Sequence, residues 1–275
     1  MADDLRVPPG VDPGTPSPAR LYDYYLGGTN NFEADRLAAE KITALIPELQ
    51  DMAWANRGFH QRAVRWLAAE QGIRQFLDVG SGLPTVGNTH EVAQKVNPDA
   101  RVVYVDNDPM AIAHAGDLLA GSRNTAVIQA DMRDPDSVLK DPRARELIDF
   151  DEPVALVITA VLHFIADGSD PWGLVAHFMD ALAPGSHLVL SHGTSDGIPP
   201  QSIAAFLAVY ENASERGYAR TRAEIERFFD GLELVPPWPG AAPAVVHVGE
   251  WGAEDLALAD SDGSRWSYCG VARRP

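Results

Sequence analysis

The chain has 275 residues, of which 45% are hydrophobic and 22% charged; this is the make-up of a globular protein with room for one large core. Its 22 basic and 39 acidic residues leave a net charge of −17, which argues against a duplex nucleic-acid partner, since such a partner calls for a basic face. The single cysteine, Cys269, excludes an intramolecular disulfide and a cysteine-built zinc site and fits a reducing, cytoplasmic compartment; no apolar run is long enough to span a bilayer.

The N-terminal stretch MADDLRVPPGVDPGTPSPAR lacks the basic start and apolar run of a signal peptide and reads as an irregular arm. NFEADRLAAEKITALI then reads as a helix, with Asn31 as N-cap, Phe32, Ala39, Ile42 and Ile46 at helical spacing, and Pro47 as its stop. A second helix is expected from Asp51, ending at Gly72. Short runs rich in Val, Ile and Leu follow, at Gln75–Val79, Arg101–Asp106, Thr125–Asp131, Pro153–Val161 and Ser186–His192, with helical segments between them. Strands this uniformly apolar are covered on both faces, and strand–helix alternation predicts a parallel sheet with right-handed crossovers. QSIAAFLAVYENASERG and RTRAEIERFF read as helices, the latter with Thr221 and Glu224 as a capping box. Leu232–Val235 and Arg265–Ala272 read as strands with no crossover helix between them, so they are expected to pair antiparallel. Residues 1–72 are expected to form an arm and helical cap on a ligand-binding domain of residues 73–275, one structural unit in all.

The chemistry concentrates in the first strand and the turn after it, QFLDVGSGLPTVGN. A dinucleotide fingerprint needs Gly-x-Gly-x-x-Gly; Gly80 and Gly82 fill two places, but Thr85 holds the third and Pro84 interrupts the helix start. Asp78, two residues before the turn, sits badly beside a pyrophosphate and suits a ligand with an ammonium group and no phosphate. Asp106 ends the second strand, where a carboxylate accepts from ribose hydroxyls. Asp131 is placed at the end of the third, where it can accept from an adenine amino group while the Met132 N–H meets a ring nitrogen. Taken singly, Asp106 and Asp131 also read as caps or turn residues; the three acids at neighbouring strand ends favour a ligand site.

LDVGSG, VYVDNDP, QADMRD and ITAVLHFI resemble the successive motifs of the class I S-adenosylmethionine-dependent methyltransferases. The resemblance implies a Rossmann-like α/β fold: a seven-stranded, mostly parallel sheet with the last strand reversed and helices on both faces. It implies S-adenosylmethionine as cofactor, held by Asp78, Gly80, Ser81, Gly82, Asp106, Asn107, Asp131, Met132 and Thr159. More narrowly, PSPARLYDYYLGGTNNFEADR, NRGFHQRAVRWLA and VGSGLPTVGNTHEVA are similar to an actinobacterial S-adenosyl methyltransferase family formerly known as a domain of unknown function, over nearly the whole chain.

RLYDYYLGGTNNF is the candidate lid, with Arg20 or Tyr22 near the carboxylate end of the cofactor; the alternative is a Gly27-Gly28 turn that only orients the next helix. His163, after the fourth strand, is the candidate general base, against a structural role; His192 is a weaker candidate. Phe164, Phe206, Tyr210, Trp238 and Trp251 are candidate acceptor-pocket rings, against a role in packing. The fourth strand runs into TAVLHF rather than an Asn/Asp-Pro-Pro-Tyr segment, and no Pro-Cys loop is present, so methylation of DNA bases is not expected. A small-molecule O or N acceptor is the expected partner, with a protein acceptor open. The other readings are a non-catalytic S-adenosylmethionine-binding sensor or partner protein and, disfavoured by Thr85 and Asp78, a nicotinamide-dependent oxidoreductase.

Overall fold

The computed structural model describes residues 7–275; the first six residues of the expected arm lie outside the described residues. An eight-stranded sheet organises the chain: β1 (Gln75–Val79), β2 (Arg101–Asp106), β3 (Thr125–Gln129), β4 (Ala155–Thr159), β5 (His187–Gly193), β6 (Glu233–Leu234), β7 (Val246–His247) and β8 (Ser267–Arg273). The spatial order is β3-β2-β1-β4-β5-β8-β6, with β7 also on β8. β1 pairs in parallel with β2 and β4, and β3 and β5 extend the parallel sheet on either side. β8 runs antiparallel to both β5 and β6, the reversed last strand the sequence pointed to. The eighth strand, β7, is two residues long, too short to leave a periodicity.

Alternation along the strands builds a core on each face. Leu77, Val79, Val103, Val105, Leu156 and Ile158 point to one side. Phe76, Val102, Tyr104, Ala155 and Val157 point to the other, where they meet Phe59, Ala63, Val64 and Leu67 of a long helix. Asp78, two residues on from Phe76, belongs to this second face.

Three helices precede the sheet: α1 (Pro18–Tyr25), α2 (Glu33–Thr43) and α3 (Leu49–Ala69). α1 begins in the last residues of the expected irregular arm and runs on into the candidate lid stretch. It is only eight residues long, but Pro18 is preset for the first turn and Leu21 and Tyr25 share one buried face. α2 starts after Phe32 rather than Asn31. The Asp35 carboxylate closes this end by accepting the Phe32 N–H at 2.8 Å, and Asn31 turns back to donate to Asp23. α3 begins at Leu49, two residues before the expected start, and Gly72 lies beyond its end with φ +66°.

Between the strands run α4 (Thr89–Val96), α5 (Pro109–Leu118), α6 (Pro135–Leu139), α7 (Pro142–Leu147), α8 (Pro171–Asp180) and α9 (Pro200–Tyr210). α10 (Arg222–Glu226) carries the expected capping box, with the Glu224 carboxylate accepting the Thr221 N–H at 2.8 Å. α9 stops at Tyr210, well short of the expected helix through Gly217. A third apolar cluster joins Leu21 and Tyr25 of α1, Ile42 of α2 and Leu49 of α3 to Tyr210 of α9, and so fixes the N-terminal helices over the carboxyl ends of the strands. No helix among the described residues is long and apolar enough to cross a membrane.

Candidate functional site

A cavity of about 530 Å³ opens at the carboxyl ends of β1, β2, β4 and β5, where the strand order reverses between β1 and β4. Asp78, Gly80, Ser81, Gly82, Asp106, Asn107, Asp131, Met132, Thr159, Arg20, Tyr22 and His163 all line it.

The turn after β1 is held by backbone. The Gly80 and Ser81 N–H groups both donate to the Val105 carbonyl, at 2.8 and 3.1 Å, and the Gly82 N–H donates to Asp106 Oδ2 at 2.7 Å. Gly80 has φ +72°, and a Cβ there would meet Val161 at 2.5 Å, so only glycine lets the chain turn this close to the segment after β4. Asp106 also accepts the Asp108 N–H at 2.9 Å. Burial pushes its carboxyl up to about 6, against the pull of these backbone donors.

Asp78 is 4% exposed, and burial raises it to about 6 as well. A directed chain of hydrogen bonds ends on it. Thr89 donates to Asp78 Oδ2 at 2.5 Å, so the Thr89 oxygen accepts from His60 Nε2 at 2.8 Å; His60 Nδ1 then accepts from Thr159 at 3.1 Å. Burial, and then the Arg57 charge, hold His60 well below its ordinary value, so the ring stays neutral and this tautomer persists. The tip of β4 is thereby coupled through α3 to the tip of β1. A second bridge runs from Ser191 of β5 to Asn56 at 2.6 Å, and from Asn56 to the Tyr22 hydroxyl at 2.8 Å. Asn56 and His60 lie one helical turn apart on the buried stripe of α3. The signal in the sequence that marks them is a pair of polar residues on an otherwise apolar stripe.

Asp131 differs from expectation in position and state. β3 ends at Gln129, so Asp131 stands two residues beyond the strand, 42% exposed. Arg133 binds it at 2.9 Å and also reaches Glu215 at 2.8 Å across the cavity mouth. These bonds to Arg133 outweigh the effect of burial and hold the Asp131 carboxyl below the ordinary range.

The N-terminal cap is latched over the site. Ser17 donates to Asp108 Oδ2 at 2.6 Å, and the Ser17 N–H donates to Asp35 at 3.0 Å. Arg20 is spent on this architecture: its guanidinium pairs with Asp35 at 2.7 Å and donates to the Thr15 carbonyl at 2.5 Å. Tyr22 donates to the Ala53 carbonyl at 3.1 Å while accepting from Asn56.

His163 follows β4. Its Nδ1 accepts the Gly193 N–H at 3.4 Å, which leaves the ring proton on Nε2. Burial, reinforced by the Arg220 charge, pushes this ring down to about 3. In this arrangement the ring is neutral and presents its N–H through Nε2. His192 donates from Nδ1 to the Gly193 carbonyl at 2.6 Å and accepts from Arg220 through Nε2 at 2.6 Å, a structural role. Arg220 also donates to the Leu162 and Ile165 carbonyls, at 3.0 and 2.7 Å, and so holds the segment that carries His163. Of the five expected acceptor rings, Phe164, Phe206 and Tyr210 line the cavity. Trp251 packs instead against Phe59 and Trp66 under the sheet, and Trp238 is not part of the wall.

The donor set fits S-adenosylmethionine. It offers two desolvated carboxylates, which suit an ammonium group and a ribose diol, and a glycine turn open to the cavity at Gly82. The fold and this site define a class I S-adenosylmethionine-dependent methyltransferase. A family model described as S-adenosyl methyltransferase matches residues 6–275, and the chain belongs to that family. Two solved structures are similar to it over almost their whole length. A DUF574 family protein from Streptomyces avermitilis is 42% identical, with a TM-score of 0.87, covering 95% of this chain and 98% of that one. A candidate methyltransferase from Thermobifida fusca is 46% identical, with a TM-score of 0.88, covering 97% of each chain. No curated protein matches the sequence.

Proposed function

We propose that the protein methylates a small molecule at an O or N nucleophile, with Asp78 receiving the ammonium group of the cofactor, Asp106 its ribose hydroxyls, and Asp131 with Met132 the adenine edge. The observation that carries this reading is the placement of Asp78 and Asp106, both buried and both raised, on the rim of one cavity at the strand-order switch. When bound, S-adenosylmethionine supplies an electrophilic methyl group on a sulfonium whose neutral leaving group needs no acid. What remains for this chain is to align, desolvate and enclose.

The residues divide that work. The Thr159–His60–Thr89 chain orients the Asp78 carboxylate, and Gly82 orients Asp106. Arg20 does not reach for the ligand in this arrangement; it braces the cap through Asp35, and the cap excludes water. The cavity volume lies in the range of small-ligand sites, and the net charge of −17 disfavours a nucleic-acid acceptor. Calorimetric titration with S-adenosylmethionine and with NAD, followed by turnover of labelled cofactor in a metabolite extract, tests the proposal. Binding of the first ligand alone with label transferred to a small product supports it. Tight NAD binding without S-adenosylmethionine binding overturns it, and labelled macromolecule as the only product overturns the acceptor class.

A further inference from the structure

The half of the cavity under β4 and β5 is built differently from the cofactor half. Tyr210 of α9 stands at its centre, with the Phe164 ring 5.3 Å away and the Phe206 ring 4.8 Å away, tilted at 48° and 46°. Three rings so arranged leave faces and edges for a flat partner. Beside them is Tyr25 of α1, which is 3% exposed and lines the cavity, and whose hydroxyl has no hydrogen-bond partner beyond the neighbouring tyrosine. The Tyr210 hydroxyl, which also lines the cavity, is the one that faces it. Two buried hydroxyls with only each other as partner leave hydrogen-bonding capacity unused, so Tyr25 is poised for a polar atom that comes with the ligand.

The groups around this half also limit the nucleophile. His163 presents an N–H, fixed by the Gly193 donor at Nδ1. Both tyrosines are raised from their ordinary value, chiefly by burial, and remain neutral phenols. Glu215 is tied to Arg133, and the guanidinium of Arg220 is consumed by carbonyls, His192 and Asp167. No side chain here is set to take a proton from a phenol.

Resting on the methyltransferase reading above, we infer that the acceptor is a flat aromatic nitrogen compound carrying a polar substituent. Its ring system lies against Phe164, Phe206 and Tyr210, its substituent meets the Tyr25 hydroxyl, and an uncharged nitrogen lone pair is the nucleophile. The nitrogen lone pair forms the N–CH3 bond as the S–CH3 bond breaks. The sulfur keeps that electron pair and becomes a neutral thioether, and the positive charge passes to nitrogen. No proton need move in the step, which is why the site requires no base.

The test uses the full chain and begins by titrating S-adenosylhomocysteine. If that ligand does not bind, the cofactor reading falls, and this inference with it. With it bound, 5-hydroxyisoquinoline, isoquinoline, 1-naphthol and decahydroisoquinoline are titrated against the wild type and Tyr25→Phe. The inference predicts that isoquinoline binds at least tenfold more tightly than decahydroisoquinoline, its saturated counterpart. Tyr25→Phe should weaken 5-hydroxyisoquinoline about fivefold or more, leave isoquinoline and S-adenosylhomocysteine unchanged, and melt no lower than the wild type. Mass spectrometry with S-adenosylmethionine should show the methyl group on nitrogen in the isoquinolines and no product from 1-naphthol. S-adenosylhomocysteine binding with no preference for the flat ring, indifference of the hydroxyl compound to Tyr25→Phe, or O-methylation of 1-naphthol would each overturn it.

Discussion

Asp78→Asn should move stability and ligand affinity in opposite directions. The wild-type carboxyl titrates near 6 in the folded chain against 3.8 when unperturbed, because burial opposes its charge more than Thr89 favours it. A folded value above the unfolded one means that ionisation costs stability. The cost is absent below 3.8, grows as the pH rises to about 6, and is complete above that. At about 1.36 kcal/mol per pH unit it comes to about 3 kcal/mol at pH 8. The amide is nearly isosteric and carries no charge, so the ligand-free variant should melt higher than wild type at pH 8, by roughly 6 °C at about 2 °C per kcal/mol for a chain of this size. The gain should vanish at pH 4. Loss of the charge-assisted bond to an ammonium group, about 1.5–3 kcal/mol, should weaken S-adenosylmethionine about 10- to 100-fold. Differential scanning calorimetry at both pH values and isothermal titration at pH 8 check the pair. A variant that melts with the wild type at pH 8, or that keeps full affinity, would refute the assignment of Asp78 as a desolvated ligand carboxylate.

Because Asp78 and Asp106 are both raised to about 6, S-adenosylmethionine affinity should fall as the pH drops through 6, and binding near pH 6 should release protons; titration in buffers of differing ionisation enthalpy measures that release. Gly80→Ala places a methyl group against Val161 at φ +72° and should cost about 2 kcal/mol or more, read from urea midpoints. Ser17→Ala removes the bond to Asp108 and should weaken cofactor binding severalfold by loosening the cap, while deletion of residues 1–30 should weaken it far more. Unchanged affinity in the deletion would show that the cap is no lid.

How much was legible in the sequence follows from which interactions set each element. The central strands were legible because apolar runs covered on both faces admit few other solutions, and the reversed β8 followed from the missing crossover. The shared placement of Asp78, Gly80 and Asp106 on one cavity was legible because a parallel sheet puts strand ends and the turns after them at one rim. α1 was not, since eight residues between Pro18 and Gly27 carry little periodicity, and their helix depends on packing Leu21 and Tyr25 against α2 and α9. The pairing of Arg20 with Asp35 was hidden as well. The sequence offers several acids near Arg20, and only the turn from α1 to α2 selects one. The tautomer of His163 hangs on a backbone N–H thirty positions away, which no local pattern encodes.

The most direct measurement is a crystal structure with S-adenosylhomocysteine bound. The amino group should lie within hydrogen-bond distance of Asp78 and the ribose diol on Asp106, with the sulfur facing the half of the cavity walled by Phe164, Phe206 and Tyr210. Density for the ligand elsewhere, or in the cavity with its amino group turned away from Asp78, would contradict the account.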